Sequence, residues 1–261
     1  MEIKNKIILV TGGGNGIGKA LCDRFAAGGA QTILVADIDF ESAGKVADAI
    51  GGKAYALDVS SESECRSVVT AILEEFGKID IVCSNAGIGG AEGSLEVAND
   101  VWQKVLDVNL LSHVYLARAV FPSMVENGGG GFMITASAAG LLTHPTAAPY
   151  AVSKHAAVAL AESLSIEYHS CGIYVSCLCP QGVRTRLIMG EDNPSAFLQA
   201  DAISPEQCAE DVIDAFERES FLILPHVEVG EFILNKAENY DRWLHSLRKI
   251  RDQITGSGNL P

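Results

Sequence analysis

Short, densely apolar runs recur along the chain, separated by longer stretches in which apolar residues return every three or four positions. Ile7 to Val10 (IILV), Thr32 to Ala36, Ala54 to Leu57, Ile79 to Cys83, Phe132 to Thr135, Ile173 to Leu178 and Phe221 to Leu224 are the short runs. They are rich in β-branched residues and do not alternate apolar with polar, so they predict strands covered on both faces, as in a parallel sheet. The segments of helical length between them are Gly16 to Ala27, Phe40 to Ile50, Ser61 to Phe76, Val101 to Asn127, Pro149 to Cys171 and Pro205 to Glu219. Strands alternating with helices predict an α/β fold built from βαβ units.

Boundaries follow from local chemistry. Ser61-Glu-Ser-Glu64 has the spacing of a capping box, and Asn127 followed by Gly128 to Gly131 stops the preceding helix. Nothing in composition splits the chain, and no repeat recurs at a fixed period, so residues 1–261 are expected to form one catalytic domain. Two stretches stand outside the alternation: Leu187 to Ser204, expected to be a lid over the substrate, and a tail from Glu228 to Ile254. In the tail Ile233, Ala237, Tyr240, Leu244 and Leu247 recur three or four apart, which predicts one amphipathic helix packed on the sheet or on a neighbouring subunit.

Composition narrows the class. With 48% hydrophobic and 20% charged residues, the chain has the make-up of a folded globule. A net charge of −14 repels nucleic acid and anionic membrane, so neither is an expected partner. No apolar run approaches the length of a membrane helix, and no signal peptide is read at the N-terminus. Seven cysteines without a CxxC pair suit a reducing compartment, and the expected location is the cytoplasm. Cys177 and Cys179 lack a His or Cys at zinc spacing, so no metal is expected.

Thr11-Gly-Gly-Gly-Asn-Gly-Ile-Gly18 follows the first strand and opens the first helix. In this pattern Gly12 permits the turn, Gly16 lets backbone approach a pyrophosphate, and Gly18 lets helix and strand pack, while the helix N-terminus offers N–H groups to an anion. Asp37 lies 19 residues beyond Gly18, at the end of the second strand, where a carboxylate accepts hydrogen bonds from ribose hydroxyls. Asp39 is the nearby alternative. A 2′-phosphate would meet like charge at Asp37, and neither Asn15 nor Ile38 offers a cation, so NAD is favoured over NADP. Asp58, taken alone, reads as a turn residue.

Five motifs then fall in order: Thr11 to Gly18, Asn85-Ala-Gly87, Asn109, Ser137, and Tyr150-Ala-Val-Ser-Lys154 thirteen residues after the serine. Together they resemble the short-chain dehydrogenase/reductase family over about residues 5 to 225. The resemblance implies a single-domain, Rossmann-type, doubly wound, mostly parallel seven-stranded sheet with helices on both faces, a nicotinamide cofactor, and commonly a homotetramer. It implies a catalytic tetrad of Asn109, Ser137, Tyr150 and Lys154, with Ser137 on the reacting oxygen and Asn109 on a water relay. It also implies cofactor contacts from Gly12, Asn15, Gly16, Ile17, Gly18, Asp37, Ile38, Asp58, Val59, Asn85, Ala86, Gly87, Tyr150, Lys154, Pro180, Gly182, Val183 and Thr185.

The chemistry agrees. Tyr150 and Lys154 are i and i+4 on a helix, so the ammonium can sit near the phenol. A free phenol has a pKa of about 10, and a close cation together with a positive nicotinamide ring would pull it toward neutrality, where it serves as general acid/base. One departure from the family pattern is Gln181, where glycine is usual after Pro180; it either contacts substrate or tiles the wall. Ser137, His144, Tyr150, Gln181, Leu187 and Ile188 are the expected substrate contacts, His144 being equally placed for a surface loop. His113 reads as a packed or interfacial helix residue. Leu187, Ile188, Met189, Phe197 and Leu198, with Leu141, Leu142 and Pro145, would make a cleft for a hydrophobic alcohol or ketone. Arg184 and Arg186 keep open an acyl thioester substrate, and a nucleotide-binding regulatory protein without catalysis is the third reading.

Overall fold

The computed structural model describes residues 1–189 and 198–256. Seven strands, β1 (Ile7–Thr11), β2 (Thr32–Asp37), β3 (Lys53–Ala56), β4 (Ile81–Ser84), β5 (Gly130–Thr135), β6 (Ile173–Leu178) and β7 (Leu222–Ile223), form one sheet. Their order is β3-β2-β1-β4-β5-β6-β7, with every pair parallel. Parallel neighbours require crossovers. The helices that supply and flank them are α1 (Gly16–Ala27), α2 (Phe40–Ile50), α3 (Glu62–Phe76), α4 (Asn99–Leu106), α5 (Ser112–Glu126), α6 (Ala139–Leu142), α7 (Ala148–Tyr168), α8 (Pro205–Arg218), α9 (Glu228–Glu238) and α10 (Tyr240–Thr255).

The unbroken apolar runs follow from burial on both faces. Ile7 and Leu9 of β1 enter a core with Val69, Leu116, Phe132 and Ala157, under α3, α5 and α7. Ile8 and Val10 point the other way, into a core with Leu21, Phe25, Val46 and Phe216, under α1, α2 and α8. Phe25 and Phe216 stack at 6.0 Å and join α1 to α8. The edge strand β3 lacks this cover: Lys53 and Ala56 are exposed. From β1 the chain runs outward to β2 and β3, then returns to β4 and runs the other way. The crevice where these directions diverge, at the carboxyl ends of β1 and β4, is the usual ligand position in such sheets.

Four expectations need correction. The helix read over Val101 to Asn127 is α4 and α5 joined by a wide π-helical turn, Asp107–Leu111. The single tail helix is two, because Asn239 takes an extended conformation and its side chain accepts from Arg242 N at 2.9 Å, starting α10 afresh. The capping box is half formed: Ser61 Oγ accepts from Glu64 N, whereas the Glu64 carboxylate accepts from Asp58 N. The helix expected to reach Cys171 ends at Tyr168 and tightens into a 3₁₀ turn, His169–Cys171.

Candidate active site

A cavity of about 1290 Å³ runs across the carboxyl ends of the strands, from the glycine loop to the tail. At one end Gly12, Asn15, Gly16, Ile17, Asp37, Ile38, Asp58 and Val59 line it. Asn15 caps α1 without using its side chain, and the first turn carries no acid, so the positive end of the helix is left for an anion. Gly18 lies behind this surface: a Cβ there would stand 2.0 Å from Gly12 O, so only glycine lets α1 lie against β1. Gly16 has φ +53°, and a Cβ would meet Thr185 Cγ2 at 2.9 Å, which ties the glycine loop to the segment after β6. Asp37 Oδ2 accepts from Gly14 N at 2.9 Å and its Oδ1 from Asp39 N at 3.0 Å, so the carboxylate braces the loop beside the cavity. Asp39 is occupied as the cap of α2, bonded to Ser42 N and Oγ. Asp58 accepts from Ser60 N and Oγ, as a turn residue does, and also lines the cavity.

The crevice floor is stitched by Asn85. Its Nδ2 donates to Thr11 O at 3.1 Å, its Oδ1 accepts from Thr135 Oγ1 at 3.1 Å, and its N–H donates to Thr11 Oγ1 at 3.0 Å. These bonds bind the ends of β1, β4 and β5, and Asn85, Ala86 and Gly87 face the cavity.

Tyr150, Lys154 and Ser137 meet at its middle. Tyr150 and Lys154 lie one turn apart on α7, and Lys154 Nζ is 5.8 Å from the Tyr150 ring centroid. Lys154 donates to Thr135 O at 2.8 Å, and burial lowers its pKa to about 8. Burial raises the Tyr150 phenol above its ordinary value, a hydrogen bond with the Ser137 side chain offsets part of this, and Cys179 adds to the rise. The protein's own groups thus raise the phenol, and the lowering expected from the sequence rests on the added charge of the nicotinamide ring. Desolvation is the largest effect on this half-buried phenol, while Lys154 Nζ is turned to Thr135 O. Ser137 Oγ accepts from Ala139 N at 3.1 Å, which fixes it at the start of α6.

Asn109 does not line the cavity surface. Fully buried in the π-helical turn, it accepts from Ile88 N and donates to Ile88 O, both at 2.9 Å, and donates to Ser153 Oγ at 3.1 Å. A Cβ on Gly87 would stand 3.4 Å from Asn109 Oδ1 and 3.5 Å from Lys154 Nζ, so both side chains border one small space. His113, on the next turn, is a packed residue: its Nδ1 is 2.6 Å from Ser84 Oγ, and burial lowers its pKa to about 3.

Beyond Tyr150 the walls are apolar. Leu142, Pro145, Leu187, Ile188 and Leu198 line them, while Leu141 packs behind and Met189 is exposed. His144 belongs to the cavity and not to a surface loop: it is 8% exposed, its ring meets Tyr150 edge-on at 6.3 Å, and burial lowers its pKa to about 4. Gln181 lines the cavity too, with its N–H donating to His226 Nδ1 at 3.2 Å. Pro180, Val183 and Thr185 line it, but Gly182 does not; a Cβ there would stand 2.5 Å from Leu198 O, so this glycine serves the packing of the loop. Phe197, and much of the lid expected over 187–204, lie outside the described residues.

A third wall, which the sequence left open between subunit contact and substrate cleft, comes from the tail. Phe232 of α9 and Trp243, Leu247, Ile250 and Ile254 of α10 line the cavity, as does Lys104 of α4. The spacing from 243 to 254 was visible, but a stripe starting at Ile233 places the helix on a different face. Among the described residues no group of three or more His, Cys, Asp or Glu side chains is placed to hold a metal ion, and no helix is long and apolar enough to cross a membrane.

A parallel sheet with its crevice between β1 and β4, a glycine loop opening α1, and a serine, tyrosine and lysine gathered at one cavity define a dinucleotide-type oxidoreductase fold. The model of the short chain dehydrogenase family matches residues 6–195, and the chain belongs to that family. It is 30% identical over 253 residues to 1-deoxy-11-beta-hydroxypentalenate dehydrogenase of Streptomyces exfoliatus, covering 94% of this chain and 91% of that protein. It is 35% identical over 187 residues to 3beta-hydroxysteroid dehydrogenase of Mediterraneibacter gnavus, covering 70% and 67%. Among solved structures, a short chain dehydrogenase/reductase from Burkholderia phymatum in complex with NAD matches with TM-score 0.83 and 27% identity, covering 92% of this chain and 96% of that one.

Proposed function

We propose that this protein transfers a hydride between NAD and a hydrophobic secondary alcohol or its ketone, with Tyr150 as general acid/base. The observation that carries this is the meeting of Tyr150, Ser137 and Lys154 midway along a cavity whose ends differ: glycine loop and Asp37 at one, apolar side chains at the other. The cradle fits a dinucleotide. The start of α1, which no side chain caps, would hold the pyrophosphate, Asp37 the adenosine ribose hydroxyls, and Val183 and Thr185 the nicotinamide amide. A cavity of about 1290 Å³ exceeds the roughly 300–1,000 Å³ of a single-ligand pocket, as two molecules require.

When bound, the oxidised nicotinamide supplies the hydride acceptor and a positive ring charge. Ser137 donates to the substrate oxygen and orients it. In oxidation Tyr150 takes the hydroxyl proton as the carbinol hydrogen leaves with its electron pair; in reduction Tyr150 returns that proton to the carbonyl oxygen. Lys154, with its Nζ 5.8 Å from the Tyr150 ring centroid, would hold the nicotinamide ribose and, with the ring's charge, favour the phenolate. Asn109 fixes the loop at Ile88 and borders the space beside Gly87, where a water would join Lys154 to solvent. Arg184 is tied to Ala202 O, and Arg186 acts on Asp39 at the adenosine end, so neither favours a thioester phosphate at the substrate end. The two relatives, a hydroxypentalenate and a hydroxysteroid dehydrogenase, support an alcohol. The active form is a homotetramer located in the cytoplasm.

The cofactor half is tested by kcat/KM for NAD and NADP in the wild type and in Asp37→Ala. Loss of the carboxylate removes ribose hydrogen bonds and like-charge repulsion together, so NAD worsens at least tenfold while NADP improves. A wild type that prefers NADP would contradict the role of Asp37.

A further inference from the structure

We propose that α10 is the specificity wall of the substrate cleft, selecting a bulky, uncharged alicyclic secondary alcohol over a small one, in a proposal that rests on the hydride transfer inferred above. Trp243, Leu247, Ile250 and Ile254 recur three or four apart along this helix and all line the cavity that holds Tyr150. Arg248, Lys249 and Arg251 lie between them. An amphipathic helix ordinarily buries its apolar stripe against a core. Here no residue of α10 is buried, and Ile250 is 38% exposed. The stripe is spent on the cleft.

The wall is pinned to the catalytic serine. Trp243 Nε1 donates to Leu142 O at 3.3 Å, Lys236 Nζ donates to Leu141 O at 2.6 Å, and the Phe232 and Trp243 rings lie 6.3 Å apart. Both carbonyls belong to α6, the turn that opens two residues after Ser137. Substrate oxygen at Ser137 and Tyr150 therefore stands at a fixed offset from the stripe.

Size and polarity follow. Trp243 to Ile254 spans eleven residue steps of the helix, about 16 Å, which a single small ring cannot cover. A fused-ring body covers more of it and, being rigid, loses less freedom on binding than an acyl chain of equal area. The stripe holds no charge, and Gln253 is the one polar lining residue that α10 contributes among the described residues. A carboxylate or phosphate laid there would lose its hydration with no cation from the stripe to offset it, the lining cations Lys104, Lys154 and Arg186 belonging to other segments.

The test compares cyclohexanol with a fused-ring secondary alcohol, a decalinol or a 3-hydroxysteroid, by kcat/KM with NAD in the full-length wild type, Leu247→Ser, Ile250→Ser and Lys249→Ser. The wild type is expected to favour the fused-ring alcohol at least tenfold. Leu247→Ser and Ile250→Ser should each erase about tenfold of that preference while cyclohexanol turnover holds, because each removes most of one apolar side chain's burial. Lys249→Ser, outside the stripe, should change neither. Trp243 emission, read in a Trp102→Phe background as the fused-ring ketone is added with NAD, gives a signal independent of turnover. A wild type without size preference, or stripe variants that slow both alcohols equally, would overturn the wall. Ketone-dependent Trp243 emission without turnover of any alcohol would leave the wall standing and overturn the hydride transfer instead.

Discussion

Two buried histidines show how one environment produces opposite roles for similar residues. His113 faces Ser84 inside the core, and His144 stands edge-on to Tyr150 in the cleft. Burial keeps both neutral, His113 down to about 3 and His144 down to about 4. In the unfolded chain each takes a proton near pH 6.5, so below that value the unfolded state binds more protons than the folded one. Stability from these groups is therefore present above about pH 6.5 and is lost as pH falls toward the folded values. His113→Asn, which keeps a hydrogen-bonding group for Ser84, should remove one proton from this dependence, or about 1.4 kcal/mol per pH unit between pH 6 and 4. Urea unfolding of both proteins across that range reads it, and parallel slopes would refute the assignment. Tyr150 and Lys154 could be placed together from their spacing alone. What spacing could not give was the sign of the phenol's shift in the protein alone, which desolvation dominates, with Ser137 and Cys179 as the smaller influences.

At the level of elements, the central strands were legible because their runs are apolar on both faces, and Ile7 to Val10 divides residue by residue between two cores. The edges were less so: β3 exposes Lys53, and β7 keeps only Leu222–Ile223 of a four-residue run. The π-helical turn at Asp107–Leu111 was invisible, since apolar periodicity continues through it, yet it is what buries Asn109 against Ile88. Asn239 hid the break in the tail, because asparagine at a helix start resembles any polar surface residue until its carbonyl is seen to cap Arg242 N. Once the helix restarts there, the apolar stripe moves to Trp243, Leu247, Ile250 and Ile254. The glycine loop and Asp37, by contrast, depend on one turn and one strand end. Local chemistry sufficed for them.

For the whole molecule, the alanine face expected to join subunits is partly internal: Ala157 is fully buried in the core, whereas Ala159 is exposed. Val152 at 50% and Ile166 at 81% exposed leave an apolar line along α7, beside a groove between α5 and α7 that includes Phe121, Leu160 and Leu164. A second copy covers this face in the proposed tetramer. Ile166→Glu should place charge at that contact and lower the mass in light scattering, with the glycine loop still binding NAD; a wild-type monomer would contradict the assembly. The central account, hydride transfer with Tyr150 moving the proton, is tested most directly by Tyr150→Phe. Turnover of a cyclic secondary alcohol would be followed through the absorbance of reduced nicotinamide, and NAD affinity by calorimetric titration. The substitution removes one hydroxyl and leaves the glycine loop and Asp37 in place, so turnover should fall at least about a thousandfold while NAD affinity stays within about twofold. Turnover near that of the wild type would contradict it.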